Sequence, residues 1–108
     1  MKKYTHNELK KILNNIKNGV VYCGISPTGY GIGRIYKISS GYIGWQHYGE
    51  SVNKMNIRDL RFIIEVIFNC CDCITPAEWS DYHVGYIPID KQYKGIDYSM
   101  SHPNVFGM

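Results

Sequence analysis

The residues best suited to binding chemistry lie in one polar stretch between positions 45 and 54. Aromatic rings, an imidazole, amides, a hydroxyl and an ammonium group follow one another there. Aromatic faces can stack on a ring-bearing ligand, while cationic side chains and the amides of a helix N-terminus can bind a phosphate. Loops beside a helix start often hold small ligands. We therefore predict a ligand-binding site formed by Arg34, Trp45, His47, Tyr48, Ser51, Asn53, Lys54 and Arg58.

The same stretch has a structural interpretation. Trp45 and Tyr48 are also typical of core or interface aromatics, and His47 can be an ordinary loop histidine. The two interpretations differ in one respect that a structure can decide, which is whether these rings face solvent or the core.

A second group of reactive side chains is the run Cys70-Cys71-Asp72-Cys73. Thiolates and imidazoles are zinc ligands, and Cys70, Cys73 and His83 are the alternative metal set. The second cysteine pair of a typical structural zinc site is missing, however. Three cysteines within four residues are also unlike a disulfide framework, which spaces its cysteines to close loops. We therefore predict no metal and no cofactor, and reduced thiols that pack as small hydrophobic groups.

Catalytic motifs are missing from the chain. The glycine-rich run at positions 29–34 enters a strand instead of a helix, and it matches neither the dinucleotide fingerprint nor the P-loop. Glu50 and His47 could form an acid–base pair, but no nucleophile elbow, paired-carboxylate motif or H-E-x-x-H accompanies them. The sequence predicts a protein without enzymatic activity.

Length and charge bound the class of protein. The 108 residues suit one domain, which we place at 1–108, and no apolar run approaches the roughly 20 residues of a membrane span. The basic N-terminus is followed by a polar helix, which predicts no secretory signal and a cytoplasmic protein. Residues 1–61 carry ten Lys/Arg against three Asp/Glu, whereas residues 62–108 carry two against six. The basic half can attract an anionic ligand, or the two halves can lie together and complement each other.

The first half of the chain predicts a helix and three strands. Thr5 and Glu8 fit a capping box, Tyr4 and Leu9 fit a hydrophobic staple, and apolar residues then recur at helical spacing, so we expect a helix over 6–18. Runs of β-branched and aromatic residues at 20–25, 30–39 and 42–48 predict strands. Because their connections are short, we expect an antiparallel meander.

The second half predicts two further helices. Asn56 is placed as an N-cap with Asp59 at the third helical position, and Met55 can staple to Leu60. The apolar residues that follow predict a helix buried against the sheet or in a subunit interface, hence a homo-oligomer. Thr75, with a proline and a glutamate after it, predicts a short third helix. Residues 84–89 suit an edge strand and residues 90–108 have turn chemistry.

These elements add up to an α+β fold. It consists of an N-terminal helix, a three- to four-stranded antiparallel meander packed against one apolar helix, and a short third helix. The site would lie where the third strand meets the second helix.

In size and composition, and in its glycine- and tyrosine-rich strands between positions 29 and 48, the chain resembles the small anti-defence proteins of phages and mobile elements. Members of the anti-Thoeris and anti-CBASS type enclose a nucleotide-derived messenger, and the resemblance implies a non-enzymatic binder of such a phosphorylated small molecule in the host cytoplasm. Anti-CRISPR-type inhibition of a host defence protein by direct contact is one alternative. A small nucleic-acid-binding protein acting through the basic half is the other.

Overall fold

A computed structural model describes residues 4–96 of the chain, and within that range two helices and seven strands form an α+β fold. The predicted fold class is therefore confirmed at this level. The elements in chain order are α1 (His6–Lys17), β1 (Tyr22–Ile25), β2 (Tyr30–Ser39), β3 (Tyr42–His47), β4 (Asn53–Asn56), α2 (Leu60–Cys70), β5 (Cys73–Ser80), β6 (Gly85–Pro88) and β7 (Lys94–Ile96).

The strands form one sheet in the order β4-β3-β2-β1-β5-β6, with antiparallel neighbours throughout, while β7 pairs in parallel with β2. Strands β1 to β3 form the predicted meander, and β4 extends it by one strand. The predicted count of three to four strands is too low, because β4, β5 and β7 arise from segments assigned to loops or helices. The expected edge strand at 84–89 is β6. Residues 97–108, part of the turn-rich C-terminal prediction, lie outside the described residues.

Local side chains fix the start of helix α1. The Thr5 hydroxyl accepts the Glu8 amide at 3.2 Å, and the Glu8 carboxylate accepts the Thr5 amide at 3.1 Å, so the predicted capping box is confirmed. The helix buries its apolar stripe of Leu9, Leu13 and Ile16. Such a cap fixes the helix start independently of the rest of the fold.

Helix α2 begins later than predicted. Asn56 ends β4, and its side chain accepts the Arg58 amide at 2.9 Å in a turn. Asp59 is the N-cap, accepting the Phe62 amide at 3.2 Å. The predicted cap at Asn56 and staple at Met55 are therefore wrong, since Met55 pairs with Ile43 in the sheet and is buried.

The predicted third helix is also wrong. Thr75, Pro76 and Glu78 lie in β5, where Thr75 pairs with Cys23 of β1 and Glu78 with Ile87 of β6. Extended pairing on both sides satisfies these backbone groups, whereas a helix here would leave the facing backbone groups of β1 and β6 without their partners in β5.

Both helices pack on the same face of the sheet. The core joins Leu13 and Ile16 of α1 and Ile63 and Ile67 of α2 to inward-facing strand residues, which are Tyr22, Ile35, Ile43, Trp45 and Met55. The opposite face, which we call the open face, carries Arg34, Tyr36, Tyr42, Gln46 and Lys54, as the strand register requires. Neither helix within residues 4–96 has the length and apolar character that crossing a membrane requires.

Strands β6 and β7 cover one end of the open face. A Cβ on Gly31 would lie 2.7 Å from the Gly95 carbonyl oxygen and 2.8 Å from the Cys23 sulfur, with Pro88 next nearest. Glycine at position 31 therefore lets these strands approach β2 closely. The remainder of the open face lies beyond this covered end.

Candidate functional site

An arginine on the open face lies over two aromatic rings. Arg34 on β2 is directly opposite Gln46 on β3, and its Nε donates to the Gln46 Oε1 at 3.0 Å. The guanidinium carbon lies 4.0 Å from the ring centroid of Tyr36 and 5.6 Å from that of Tyr86. The two ring contacts and the hydrogen bond to the Gln46 amide restrict the position of the guanidinium group.

Beside this arginine is a cavity of about 190 Å³, which we call the Arg34 cleft. Its aromatic wall comes from β5 and β6, where Trp79 pairs with Tyr86 in an edge-to-face contact at 5.5 Å between centroids. The Trp79 side chain is half exposed, and its Nε1 donates to Asp81 at 2.8 Å. The residues lining the cleft are Arg34, Gln46, Tyr48, Trp79, Val84, Gly85 and Tyr86.

Tyr48 forms the base of the cleft. Its hydroxyl donates to the Tyr86 carbonyl and lies 3.8 Å from the Cys23 sulfur, so it ties the end of β3 to β6. Burial, reinforced by the neighbouring Cys23 thiol, raises the pKa of the Tyr48 phenol above its usual value. The phenol is therefore neutral at physiological pH, and it fixes the distance between the two sides of the cleft.

Among residues 4–96, Arg34 forms no ion pair, and the acid nearest to the cleft in the described hydrogen bonds, Asp81, accepts from Trp79. Over residues 4–96, the ion pairs join Arg61 to Glu65 at 4.0 Å and Lys91 to Glu78 at 3.9 Å, and no described carboxylate pairs with Arg34. An arginine has five N–H donors, and Gln46 occupies the one on Nε. The remaining donors of a half-buried cation can bind a carboxylate or phosphate in two-pronged geometry.

Trp45 does not face a ligand, which corrects its predicted role. The side chain is 3% exposed and belongs to the core on the helix side of the sheet. Its ring lies over Gly24 and Gly33, where a Cβ would overlap it. The structural interpretation of Trp45 is thus confirmed.

The other predicted residues are spread over several places. Tyr48 joins Arg34 in the cleft. His47 is half buried but is opposite Gly33, on the other face of the sheet from Arg34, with its Nδ1 3.3 Å from the Tyr48 carbonyl. Lys54 lies over the Tyr42 ring at 4.3 Å, two strands away from Arg34. Ser51 and Asn53 are exposed, and Arg58 lies in a groove beside α1. Among the described residues, the structure therefore does not gather the predicted set into one pocket.

Sequence reasoning missed Trp79 and Tyr86. The cap signal at Thr75 led to the prediction of a helix for this segment. The strand β5 was therefore not expected, and neither was the wall of the cleft that it provides. Alternation of Thr75, Ala77 and Trp79 was the signal that could have found this strand, since period two places all three on one face.

The thiols do not gather into a metal site. Cys23, Cys71 and Cys73 are buried, while Cys70 is exposed. Burial raises the pKa of Cys23 to about 11 and that of Cys71 to about 12, so these thiols stay protonated. Throughout residues 4–96 no three His, Cys, Asp or Glu side chains are grouped as metal ligands, so Cys70, Cys73 and His83 are not brought together as one.

Ser80 and His83 form a serine–histidine contact with a structural explanation. The Ser80 hydroxyl lies 3.0 Å from His83 Nδ1 and also accepts the His83 backbone amide at 3.2 Å. This is the geometry of a side-chain-stabilised turn, in which the hydroxyl closes the loop between β5 and β6. The His83 ring also packs against Gly95, where a Cβ would overlap it.

No protein-family model, curated protein sequence or solved structure matches the chain.

Proposed function

We propose that the chain is a non-enzymatic binding protein for a phosphorylated, ring-bearing ligand of the nucleotide class, held in the Arg34 cleft. The observation that carries this proposal is Arg34 itself. It is half buried, stacked on Tyr36, and without a carboxylate partner among residues 4–96. Keeping an unpaired cation partly out of water is unfavourable, and an anionic ligand would offset that cost.

The dimensions of the cleft suit one ring. A volume of about 190 Å³ lies below the roughly 300–1,000 Å³ of typical small-molecule pockets. Trp79 offers an exposed ring for stacking, and Arg34 lies across the cleft to bind phosphate. A base with its phosphate satisfies both groups at once.

The resemblance to anti-defence proteins suggests a biological role for such binding. A protein of that type would sequester a nucleotide-derived messenger, which requires binding and no turnover. A host-cell cytoplasmic location would follow from the same setting.

A second function is favoured by a different observation. The turn between β5 and β6 exposes Tyr82 by 90% and Val84 by 76%, next to the half-exposed Trp79. Exposed aromatic residues are enriched at protein-binding hot spots. Direct inhibition of a defence effector would use this turn, and Tyr82→Ala would then abolish a complex with the purified effector that Phe62→Ala leaves intact.

The test of the proposed function is a titration with AMP, ADP-ribose and cyclic di-AMP, followed by calorimetry and by thermal unfolding. We expect at least one of them to bind and to raise the unfolding temperature. Arg34→Ala should weaken that binding at least tenfold, because a charge-assisted hydrogen bond contributes about 1.5–3 kcal/mol.

Arg61→Ala is the matched control. It removes the same charge from an exposed position on α2, where the side chain is 93% exposed. Equal weakening by both substitutions would reduce the effect to general electrostatics and contradict the proposal, as would the absence of binding by every ligand in the panel.

A further inference from the structure

The open face continues past the Arg34 cleft as a second surface, which we call the Tyr42 shelf and define as Ile38, Tyr42, Val52 and Lys54. Ile38, Tyr42 and Val52 are exposed to nearly the same extent, 39%, 38% and 39%. The Lys54 ammonium lies 4.3 Å from the Tyr42 ring centroid. The shelf thus pairs an aromatic ring with a cation, as the cleft does.

Strand register places shelf and cleft on one continuous surface. Arg34 is opposite Gln46, and in the next row Tyr36 and Lys54 lie on either side of Gly44. Directly opposed residues in antiparallel strands share a face. Tyr36, against which Arg34 stacks, therefore connects the cleft to the shelf.

Gly44 keeps this surface shallow. A Cβ there would lie 2.6 Å from Ile38 Cδ1 and 2.7 Å from Val52 Cγ1, so these two side chains close over the glycine. The result is an apolar floor between the two cations. A flat ring can rest on such a floor without penetrating the sheet.

Arg34 and Lys54 lie on strands that are not neighbours in the sheet, with β3 between them. Arg34 and Lys54 are two strands and two residues apart in register, which corresponds to roughly 12 Å between Cα atoms. The cleft has room for about one ring, and no described carboxylate pairs with Lys54 either. One ring and one phosphate would leave the shelf empty.

We infer that the ligand contains at least two phosphodiester-linked nucleotide units, one in the Arg34 cleft and the next over the Tyr42 shelf. This inference rests on the proposed function of the cleft. The shared chemistry is a base-phosphate-base unit, and it occurs both in cyclic dinucleotides and in single-stranded nucleic acid.

The experiment compares AMP, the linear dinucleotide pApA, cyclic di-AMP and a six-nucleotide poly(A) RNA by calorimetry at fixed salt. A second stacked base and second cation should make the best two-unit ligand bind at least tenfold more tightly than AMP. Preference for cyclic di-AMP would identify a messenger as the source, and preference for the RNA would identify a single strand. Either result supports the inference.

Variants of the shelf test the location. Tyr42→Ala and Lys54→Ala should bring the ratio of two-unit to AMP affinity close to one. Phe62→Ala and Lys11→Ala are the matched controls, because they remove an equally exposed ring and an exposed lysine from the helices. Far-UV circular dichroism verifies that all four variants are folded.

The outcomes separate this inference from the proposed function. AMP binding that depends on Arg34, with no gain from a second unit, overturns the inference and leaves the cleft proposal standing. A gain that survives both shelf substitutions overturns it too. Absence of binding by AMP and by every two-unit ligand overturns both.

Discussion

The packing of Trp45 on two glycines predicts an unequal response to alanine at those glycines. A Cβ on Gly24 would lie 2.5 and 2.6 Å from the distal ring atoms Cη2 and Cζ3 of Trp45 and 3.2 Å from the Cys71 sulfur. All three contacts are with side chains. On Gly33, a Cβ would meet the same ring and also the Gln46 carbonyl oxygen at 2.6 Å, which belongs to the backbone.

The magnitudes follow from overpacking and cavity formation. Gly24→Ala and Gly33→Ala should each cost about 1–3 kcal/mol of unfolding free energy. Trp45→Leu should cost about 2–4 kcal/mol, somewhat less than a full truncation of a buried tryptophan. In the Trp45→Leu background the ring atoms are gone, so Gly24→Ala should cost less than about 0.5 kcal/mol. Gly33→Ala should still cost roughly 1 kcal/mol, because the backbone oxygen remains.

Urea unfolding followed by far-UV circular dichroism measures all six proteins, including the two double variants, and midpoints with constant slopes give the differences. Equal costs of Gly24→Ala in both backgrounds would contradict the contact between the Trp45 ring and Gly24. Unchanged stability of Trp45→Leu would contradict the placement of the ring in the core.

Four further predictions concern stability and thiol reactivity. Thr5→Ala removes the cap of α1 and should cost about 1 kcal/mol in the same urea assay. Val84 has a φ of 54°, which is unfavourable for a β-branched residue, so Val84→Asn should raise stability by about 1 kcal/mol; a lower unfolding temperature would contradict this. The raised pKa values of Cys23 and Cys71 favour the protonated thiols in the folded state, so stability should fall as pH rises from about 9 to between 11 and 12. Replacing both residues with alanine should reduce that decline, and the part that remains at the highest pH is expected from the buried Tyr48 phenol, whose pKa is also raised. Native protein should react with a thiol reagent at Cys70 alone among its described cysteines before unfolding exposes the rest.

Elements with local signals were predictable from the sequence. Helix α1 has its capping box and apolar stripe within one short segment, and the structure has both where the sequence predicts them. The three-strand meander was predictable for a similar reason, since short connections leave few ways to pair neighbouring strands.

Elements that depend on distant partners were not predictable in this way. The cap signal at Thr75 favours a helix locally, but pairing with β1 and β6 from outside the segment makes it a strand. Asn56 likewise has a cap signal, but it is the last residue of β4, and α2 begins only after Asp59. Long-range pairing overrides local propensity in both segments.

The site was only partly predictable for the same reason. Arg34 and Tyr48 were predicted and lie together, but Trp79 and Tyr86 reach them only through the pairing of β5 with β1. Of the two tryptophans, the sequence favoured Trp45 because polar neighbours surround it. In the fold, Trp45 faces the helices and is buried in the core, whereas Trp79 is half exposed. Which of the two rings is buried depends on which face of the sheet the helices cover.

The most direct test of nucleotide binding in the Arg34 cleft is a nitrogen-15 NMR titration with AMP and cyclic di-AMP, observing the two tryptophan indole N–H signals and the arginine Nε–H signals. We predict that the Trp79 and Arg34 signals shift in step with ligand concentration, while the Trp45 and Arg61 signals stay in place. Unmoved Trp79 and Arg34 signals at saturating ligand, or shifts confined to α2, would contradict a ligand site in the cleft.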